Sequence, residues 1–146
     1  MLINSFLVEE LLSYTLADLK DLDLLMHELS STSYCNESIL DEVIYDKNSH
    51  VYIIRKEDHI IAASTLCVIH TLEFTNASIE SVVVSTKYRG QGFGRILVEH
   101  LIYEAKKMKV HSIYLTSNPK RIAANNLYKK LGFIKYETNC YVFDLK

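Results

Sequence analysis

Residues 88–97 read YRGQGFGRIL, so three of the chain's four glycines, Gly90, Gly92 and Gly94, fall together and run directly into an apolar, helix-forming stretch. Inside a regular element each glycine costs roughly 0.5–1 kcal/mol relative to alanine, so such a cluster marks backbone that must turn tightly or touch something closely. The segment before it, SIESVVVS, is short and β-branched and predicts a strand buried in a sheet. A strand, a glycine turn and a helix start together present free backbone N–H groups at the positive end of a helix dipole. That arrangement suits an anion, and phosphate above all. Two phosphate motifs are excluded by spacing. A Walker A loop needs GxxxxGK followed by Ser or Thr, and the dinucleotide pattern GxGxxG is replaced here by GxGxG with no early βαβ unit around it. What remains is Arg89-x-x-Gly92-x-Gly94, with Arg89 at the loop mouth where a guanidinium can reach a phosphate. Lys87, Arg95, Lys120 and Arg121 add to the positive field.

A second kind of chemistry is suggested by Glu80, a carboxylate within the apolar run SIESVVVS. A buried charge is costly without a purpose or a partner, which makes Glu80 a candidate general base, with edge exposure or a structural hydrogen bond as the alternative. His70, at the end of the preceding strand, is a second candidate base. The six histidines form no pair at metal-ligand spacing, His100 and His111 read as surface or core-edge residues, and no metal is expected. Cys35, Cys67 and Cys140 are widely spaced with no CxxC pair, against a zinc site or disulfide framework, and read as buried thiols.

These groups need elements to hold them. In TLADLKDLDLLMHEL, Thr15 and Asp18 have the spacing of a capping box, and Leu16, Leu19, Leu22, Met26 and Leu29 recur at helical period. A second short helix starts at Asn36 and carries Ile39, Leu40, Val43 and Ile44. VYIIRK and IIAASTLCVIH read as two strands about an EDH turn, followed by the loop TLEFTNA and the strand SIESVVVS. From Gly92 to Met108, Phe93, Leu97, Leu101, Ala105 and Met108 form an apolar stripe, with Lys106 and Lys107 where the dipole favours cations. HSIYLTS is a further strand and KRIAANNLYKKLG a helix ended by Gly132. FIKYE and CYVFDLK read as a closing strand pair. The expected order is β-α-α-β-β-β-α-β-α-β-β, an α/β chain with a mixed sheet flanked by helices.

At 146 residues, 49% hydrophobic and 23% charged, the chain is expected to be one domain over residues 1–146. No apolar run reaches the roughly 18 residues needed to cross a bilayer, and MLINSFLVEELL lacks a basic start and cleavage site, so a cytoplasmic chain with no membrane partner is expected. Residues 1–76 hold 4 Lys/Arg against 13 Asp/Glu, whereas residues 77–146 hold 12 against 5. The two halves are expected to face different partners. The basic residues lack interleaved stacking aromatics and the whole chain is acidic, which speaks against nucleic acid.

IESVVVSTKYRGQGFGRILVEHLIYEA followed by LTSNPKRIAANNLYKKLGF resembles the GNAT family of N-acetyltransferases. That family's coenzyme A loop follows a strand with Arg or Gln, two residues, Gly, one residue, then Gly or Ala. The two stretches cover nearly all of residues 78–133, while residues 1–75 match the family only in element order. The resemblance implies a single GNAT-like domain with a mixed, mostly antiparallel sheet, and acetyl-CoA as co-substrate. It implies that the pyrophosphate sits on the loop amides, at Gly90, Gln91, Gly92, Phe93, Gly94 and Arg95 with Arg89 beside them. The pantetheine would pair with the strand edge at Val82, Val83 and Val84. Asn118 and Asn125 match polar positions near the cofactor.

In related enzymes a tyrosine on the last helix points at the coenzyme A sulfur, and Tyr128 stands at that place. It is the candidate general acid, with a packing aromatic as the alternative. Acetyl transfer to an amine needs a neutral nucleophile, stabilisation of an oxyanion and a proton for the thiolate, so direct attack in a ternary complex with Tyr128 and Glu80 is the expected mechanism. Tyr34 and the acidic group Glu37, Asp41 and Glu42 lie where such folds form the acceptor wall, which favours a cationic small-molecule amine or peptide. A homodimer is compatible with this reading. A non-catalytic acyl-CoA-binding sensor or interaction module is the alternative function.

Overall fold

The structure, a computed structural model, describes residues 7–146. Two compact units divide between Leu115 and Thr116. The first contains β1 (Val8–Glu10), α1 (Leu16–Leu29), α2 (Glu37–Tyr45), β2 (Ser49–Lys56), β3 (His59–His70) and β4 (Thr75–Val84). A 3-10 turn (Thr86–Tyr88), α3 (Phe93–Lys107) and β5 (Ile113–Tyr114) follow. The second unit contains α4 (Ile122–Lys130). The sheet runs β1-β2-β3-β4-β5, antiparallel throughout except for the parallel β4–β5 pair. It is the expected mixed, mostly antiparallel sheet, and the expected element order holds through α4.

Three boundaries depart from the sequence-based expectation. HSIYLTS contracts to a two-residue strand, Ile113–Tyr114, because only Ala77 and Ser78 pair with it. TLEFTNA gives up its last three residues to β4, and the hairpin closes where Thr71 N–H and Oγ1 donate to the Phe74 carbonyl at 3.0 and 2.7 Å. FIKYE and CYVFDLK form no strands, and Ile134–Lys146 is exposed. Alternating β-formers supply propensity, but a strand exists only where a neighbouring edge takes up its N–H and C=O groups.

Local signals explain the elements that hold the site. Thr15 Oγ1 accepts the Asp18 N–H and the Asp18 carboxylate accepts the Thr15 N–H, both at 3.1 Å, so the capping box starts α1. Asn36 Oδ1 accepts the Ile39 N–H at 2.9 Å and starts α2. Glu57 and Asp58 carry φ of 52° and 66°, the mirror-image turn whose twist suits a two-residue hairpin. Strand period then separates two faces of β2. Val51 and Ile53 pack with Leu22, Leu25 and Leu40 beneath α1 and α2, while Tyr52 turns the other way and sets its ring 5.2 Å from that of His100 on α3. Leu97, Val98, Leu101 and Ala105 bury the inner face of α3.

Asp18 does more than cap. Its carboxylate accepts Arg55 Nη1 and Nη2 at 2.7 and 3.1 Å, and Arg55 Nε donates to Glu9 at 2.7 Å, so α1, β1 and β2 are tied through one guanidinium. The Arg55 hydrogen bonds hold the Asp18 carboxyl below its ordinary value of 3.8 against the opposing effect of burial. Asp18→Ala removes half of the capping box and one of the two carboxylates on Arg55, whose side chain is 31% exposed and keeps Glu9, so it is expected to cost about 1–2 kcal/mol at neutral pH by urea denaturation. Because the folded pKa is depressed, this contribution is complete above the unfolded pKa and fades as pH falls through the folded one. The wild-type advantage over Asp18→Ala should therefore shrink below about pH 4.

The thiols differ among themselves. Cys35 and Cys67 are half-buried, and burial pushes both above their ordinary pKa, as inert thiols require. Cys140, expected inside, is exposed, since the segment that carries it joins no sheet.

Candidate active site

The site in the first unit begins with an irregularity in β4. Its register with β3 slips by one between Ala63↔Val83 and Thr65↔Glu80, so Ser64 faces both Ser81 and Val82. This is a β-bulge, with Ser81 in the left-handed region at φ 57°, a conformation costing a non-glycine residue about 1 kcal/mol. The bulge sits directly beside the Thr65↔Glu80 pair. The Ser64 hydroxyl, on a residue only 2% exposed, donates to that carbonyl at 3.0 Å.

The extra residue also changes which side chains share a face. Glu80 and Val83, three apart, both lie toward the α1/α2 side. Val83 is covered there as part of the core, but Glu80 lies beyond the helices and is exposed. The sequence argument for Glu80 rested on burial among apolar neighbours, and that premise is corrected by the bulge. His70 sits opposite Thr75 at the other end of the strand, about 30 Å along β4 from Val84, and its Nδ1 lies 3.0 Å from Thr75 Oγ1.

β4 continues from Ile79 to Val84 past its last pair with β5. The Ser85 N–H donates to Ile61 on β3 at 2.8 Å, so the Val84 carbonyl in the same planar peptide points away from β3. Arg89 Nε takes that carbonyl at 2.9 Å, folding the loop mouth back over the strand end. By strand period the backbone of Val82 shares this outer side, whereas Val83 pairs with Ala63 and fills the core with its side chain.

The 3-10 turn and the glycines join β4 to α3. The turn is held from outside. Thr86 N–H and Oγ1 donate to the two carboxylate oxygens of Glu28 at 3.0 and 3.2 Å. The Tyr88 ring meets Phe93 edge-on at 6.3 Å and has Lys56 Nζ and Lys87 Nζ 5.2 and 5.6 Å from its centroid. Gly90 and Gly92 follow with φ of 77° and 88°. Gly92 is the N-cap of α3 and supplies no side-chain cap; the Ile96 N–H is the first to return, to the Gly92 carbonyl at 3.1 Å. The N–H groups of Phe93, Gly94 and Arg95 therefore open the helix without intrahelical acceptors. A Cβ built on Gly92 would meet no atom within 4 Å. Glycine is needed there for its backbone angle rather than for want of room, and a helix start with free amides is an arrangement suited to an anion. Gln91 is exposed within this turn, and Arg95 is exposed with its Nε on Glu99 at 2.9 Å.

In the second unit the two asparagines act on one turn. Asn118 Oδ1 accepts the Lys120 N–H, its carbonyl accepts the Arg121 N–H, and Asn125 Nδ2 reaches the carbonyls of both Asn118 and Arg121, all at 2.9 Å. They build the entry to α4, whose N-cap, Arg121, offers no side-chain cap. Tyr128 is 5% exposed and sets its ring edge-on to Phe133 at 5.9 Å. Burial pushes its phenol above the ordinary tyrosine value, with Arg121 opposing, so the hydroxyl keeps its proton at neutral pH. Its orientation is set locally. Gly132, at φ 98°, lets its own N–H reach the Lys129 carbonyl and the Phe133 N–H reach the Tyr128 carbonyl, closing α4 in a Schellman motif.

Two contributors escaped sequence reasoning. Lys56 reaches the loop only because the end of β2 comes beside Tyr88, and no local pattern marks it. Glu28 left one trace, an acidic residue in the last turn of a helix, where the dipole disfavours it.

An acetyltransferase (GNAT) family model matches residues 16–133. The ribosomal protein bS18-alanine N-acetyltransferase of Escherichia coli is 40% identical over 57 residues, 39% of this chain, and the match spans 38% of that relative's length. A putative enzyme of the same name from Bacillus subtilis is 23% identical over 118 residues, 78% of this chain and 75% of that one. Among solved structures, a putative acetyltransferase from Agrobacterium tumefaciens shares the fold with a TM-score of 0.81 at 21% identity, over 94% of this chain and 99% of that chain. An aminoglycoside acetyltransferase from an uncultured soil metagenomic sample does so with a TM-score of 0.78 at 18% identity, over 95% of both chains. With the family model matching residues 16–133, most of its length, the chain belongs to the acetyltransferase (GNAT) family.

Proposed function

We propose that the chain, acting as one domain, is a cytoplasmic N-acetyltransferase that moves an acetyl group from acetyl-CoA to a primary amine by direct attack. The observation that carries this reading is the helix start at Gly92, a positive-φ glycine turn with no side-chain cap, which follows a strand that has outrun its neighbour. The loop amides from Gly90 to Arg95, with Arg89, take the pyrophosphate, and the outer edge of β4 at Val82 and Val84 takes the pantetheine. Asn118 and Asn125 contribute by shaping the turn before α4.

The amine nitrogen bonds to the thioester carbonyl carbon, a tetrahedral oxyanion forms and collapses, and the C–S bond breaks. Glu80 accepts the amine's proton, directly or through water, and Tyr128 gives its proton to the departing thiolate. An exposed carboxylate suits an acceptor that arrives from solvent. The acidic first half of the chain, with Asp41 already holding the Tyr14 hydroxyl at 2.6 Å, favours a cationic amine or peptide.

Free-thiol release from acetyl-CoA across a panel of amines, amino sugars and peptides tests this reading. Acceptor-dependent release is expected, and binding without release from any acceptor would favour the sensor instead. In the same assay Glu80→Gln should lower kcat by about 10²-fold or less and move the acidic limb of the pH profile, with acetyl-CoA affinity unchanged. A wild-type profile in that variant assigns the proton to His70 or to water.

A further inference from the structure

The carboxylate of Glu28 is in an unfavourable place on its own helix. It is the penultimate residue of α1, where the carbonyl end of the dipole repels negative charge. It is also held beside a turn that leads into an anion cradle, where its charge works against the ligand. Both effects are offset by one arrangement. Ser85, the N-cap of the 3-10 turn, makes no side-chain cap, and Glu28 supplies the missing acceptor from another element, taking both the Thr86 N–H and the Thr86 hydroxyl. The helix that carries it is itself anchored to β2 by the Asp18–Arg55 pair. The turn between β4 and Arg89 is thereby referenced to a fixed helix rather than left to its own short hydrogen bonds.

We propose that Glu28 is a positioning residue for the acyl-donor loop, setting the angle at which Arg89 and the Gly90–Gly92 backbone leave β4. This rests on the reading that the loop binds acetyl-CoA. Its electrostatic and positional effects have opposite signs, which makes them separable. Glu28→Gln removes the charge and keeps an acceptor for the Thr86 N–H, whereas Glu28→Ala removes both.

The test measures acetyl-CoA affinity by calorimetry for the wild type and both variants, with backbone hydrogen exchange of residues 86–92 in the unliganded proteins. Glu28→Ala is expected to weaken acetyl-CoA binding about 5-fold, as the loss of a solvent-exposed charge-assisted hydrogen bond allows, and to speed exchange across the loop. Glu28→Gln should bind at least as tightly as the wild type and keep its exchange protection. In turnover the Ala variant should raise KM for acetyl-CoA while kcat at saturation holds. Equal affinity for Ala and Gln, or tighter binding by Ala than by the wild type, would overturn the proposal and leave only the charge. A wild-type chain that binds no acetyl-CoA would instead overturn the reading of the loop, while the exchange comparison still decides whether Glu28 orders it.

Discussion

Gly92→Val is expected to abolish the stabilisation of this protein by acetyl-CoA while leaving a folded chain. A ligand at about 100 times its Kd stabilises the native state by roughly 2.7 kcal/mol, which for a domain of this size is a rise in Tm on the order of 5–10 °C. Valine at φ 88° lacks glycine's access to that region and costs about 1–3 kcal/mol, so the unliganded Tm should fall by several degrees. That fall is strain, and it is read separately from the ligand-induced shift. The shift itself should vanish, because in the proposed reading the backbone at Gly92 approaches the pyrophosphate closely and a branched side chain there would hold it off. Gly92→Ala, with a smaller strain and a single methyl there, should fall between. A folded Gly92→Val chain with a wild-type shift would remove the pyrophosphate from this cradle. Thermal unfolding with and without acetyl-CoA decides it.

Tyr128→Phe carries the largest expected kinetic effect. The ring stays to pack edge-on against Phe133, so fold and acetyl-CoA affinity should hold. In the proposed mechanism the lost hydroxyl is the proton donor, and general acid catalysis is worth about 10²–10⁴ in rate, so single-turnover acetyl transfer should slow by that range. Burial raises the phenol pKa, so the wild-type rate should keep its acid at neutral pH and lose it only on an alkaline limb above the ordinary tyrosine value. That limb should be missing from the Phe variant. A wild-type chemical step in the variant would make Tyr128 a packing aromatic whose place at the sulfur is taken by solvent.

Much of the fold was legible in the chain because its signals are short. Thr15 and Asp18 announce α1 over one turn of backbone, Asn36 announces α2, and Gly132 closes α4 with bonds that span only a few residues. The glycine turn belongs to the same class. Its backbone angles, its uncapped helix start and its place after a strand are all set by neighbours in sequence, so the glycine turn and the family could be found from YRGQGFGRIL. The terminal strands were misread for the complementary reason. Residues after Gly132 carry strand propensity, yet a ladder is made by two edges, and propensity describes one.

The chemistry of Glu80 shows where sequence reasoning stops. Its apolar neighbours argued for burial, but the bulge opposite Ser64 adds a residue to β4 and lets Glu80 share a face with Val83 beyond the reach of the helices that cover Val83. Whether a bulge forms depends on a partner strand sixteen positions away, from which the Ser64 hydroxyl also reaches the Glu80 carbonyl. The Arg55 clasp on Asp18, Lys56 beside Tyr88 and Glu28 beneath Thr86 are of the same kind. By itself the sequence determined the helix caps, the strand periods and the glycine turn that offers amides to an anion, since each is a bargain struck between residues within a turn or two. Only the tertiary structure decided which carboxylates are exposed, which are paired and which hold the loop, because burial and ion pairing depend on groups that the chain brings together from tens of residues apart.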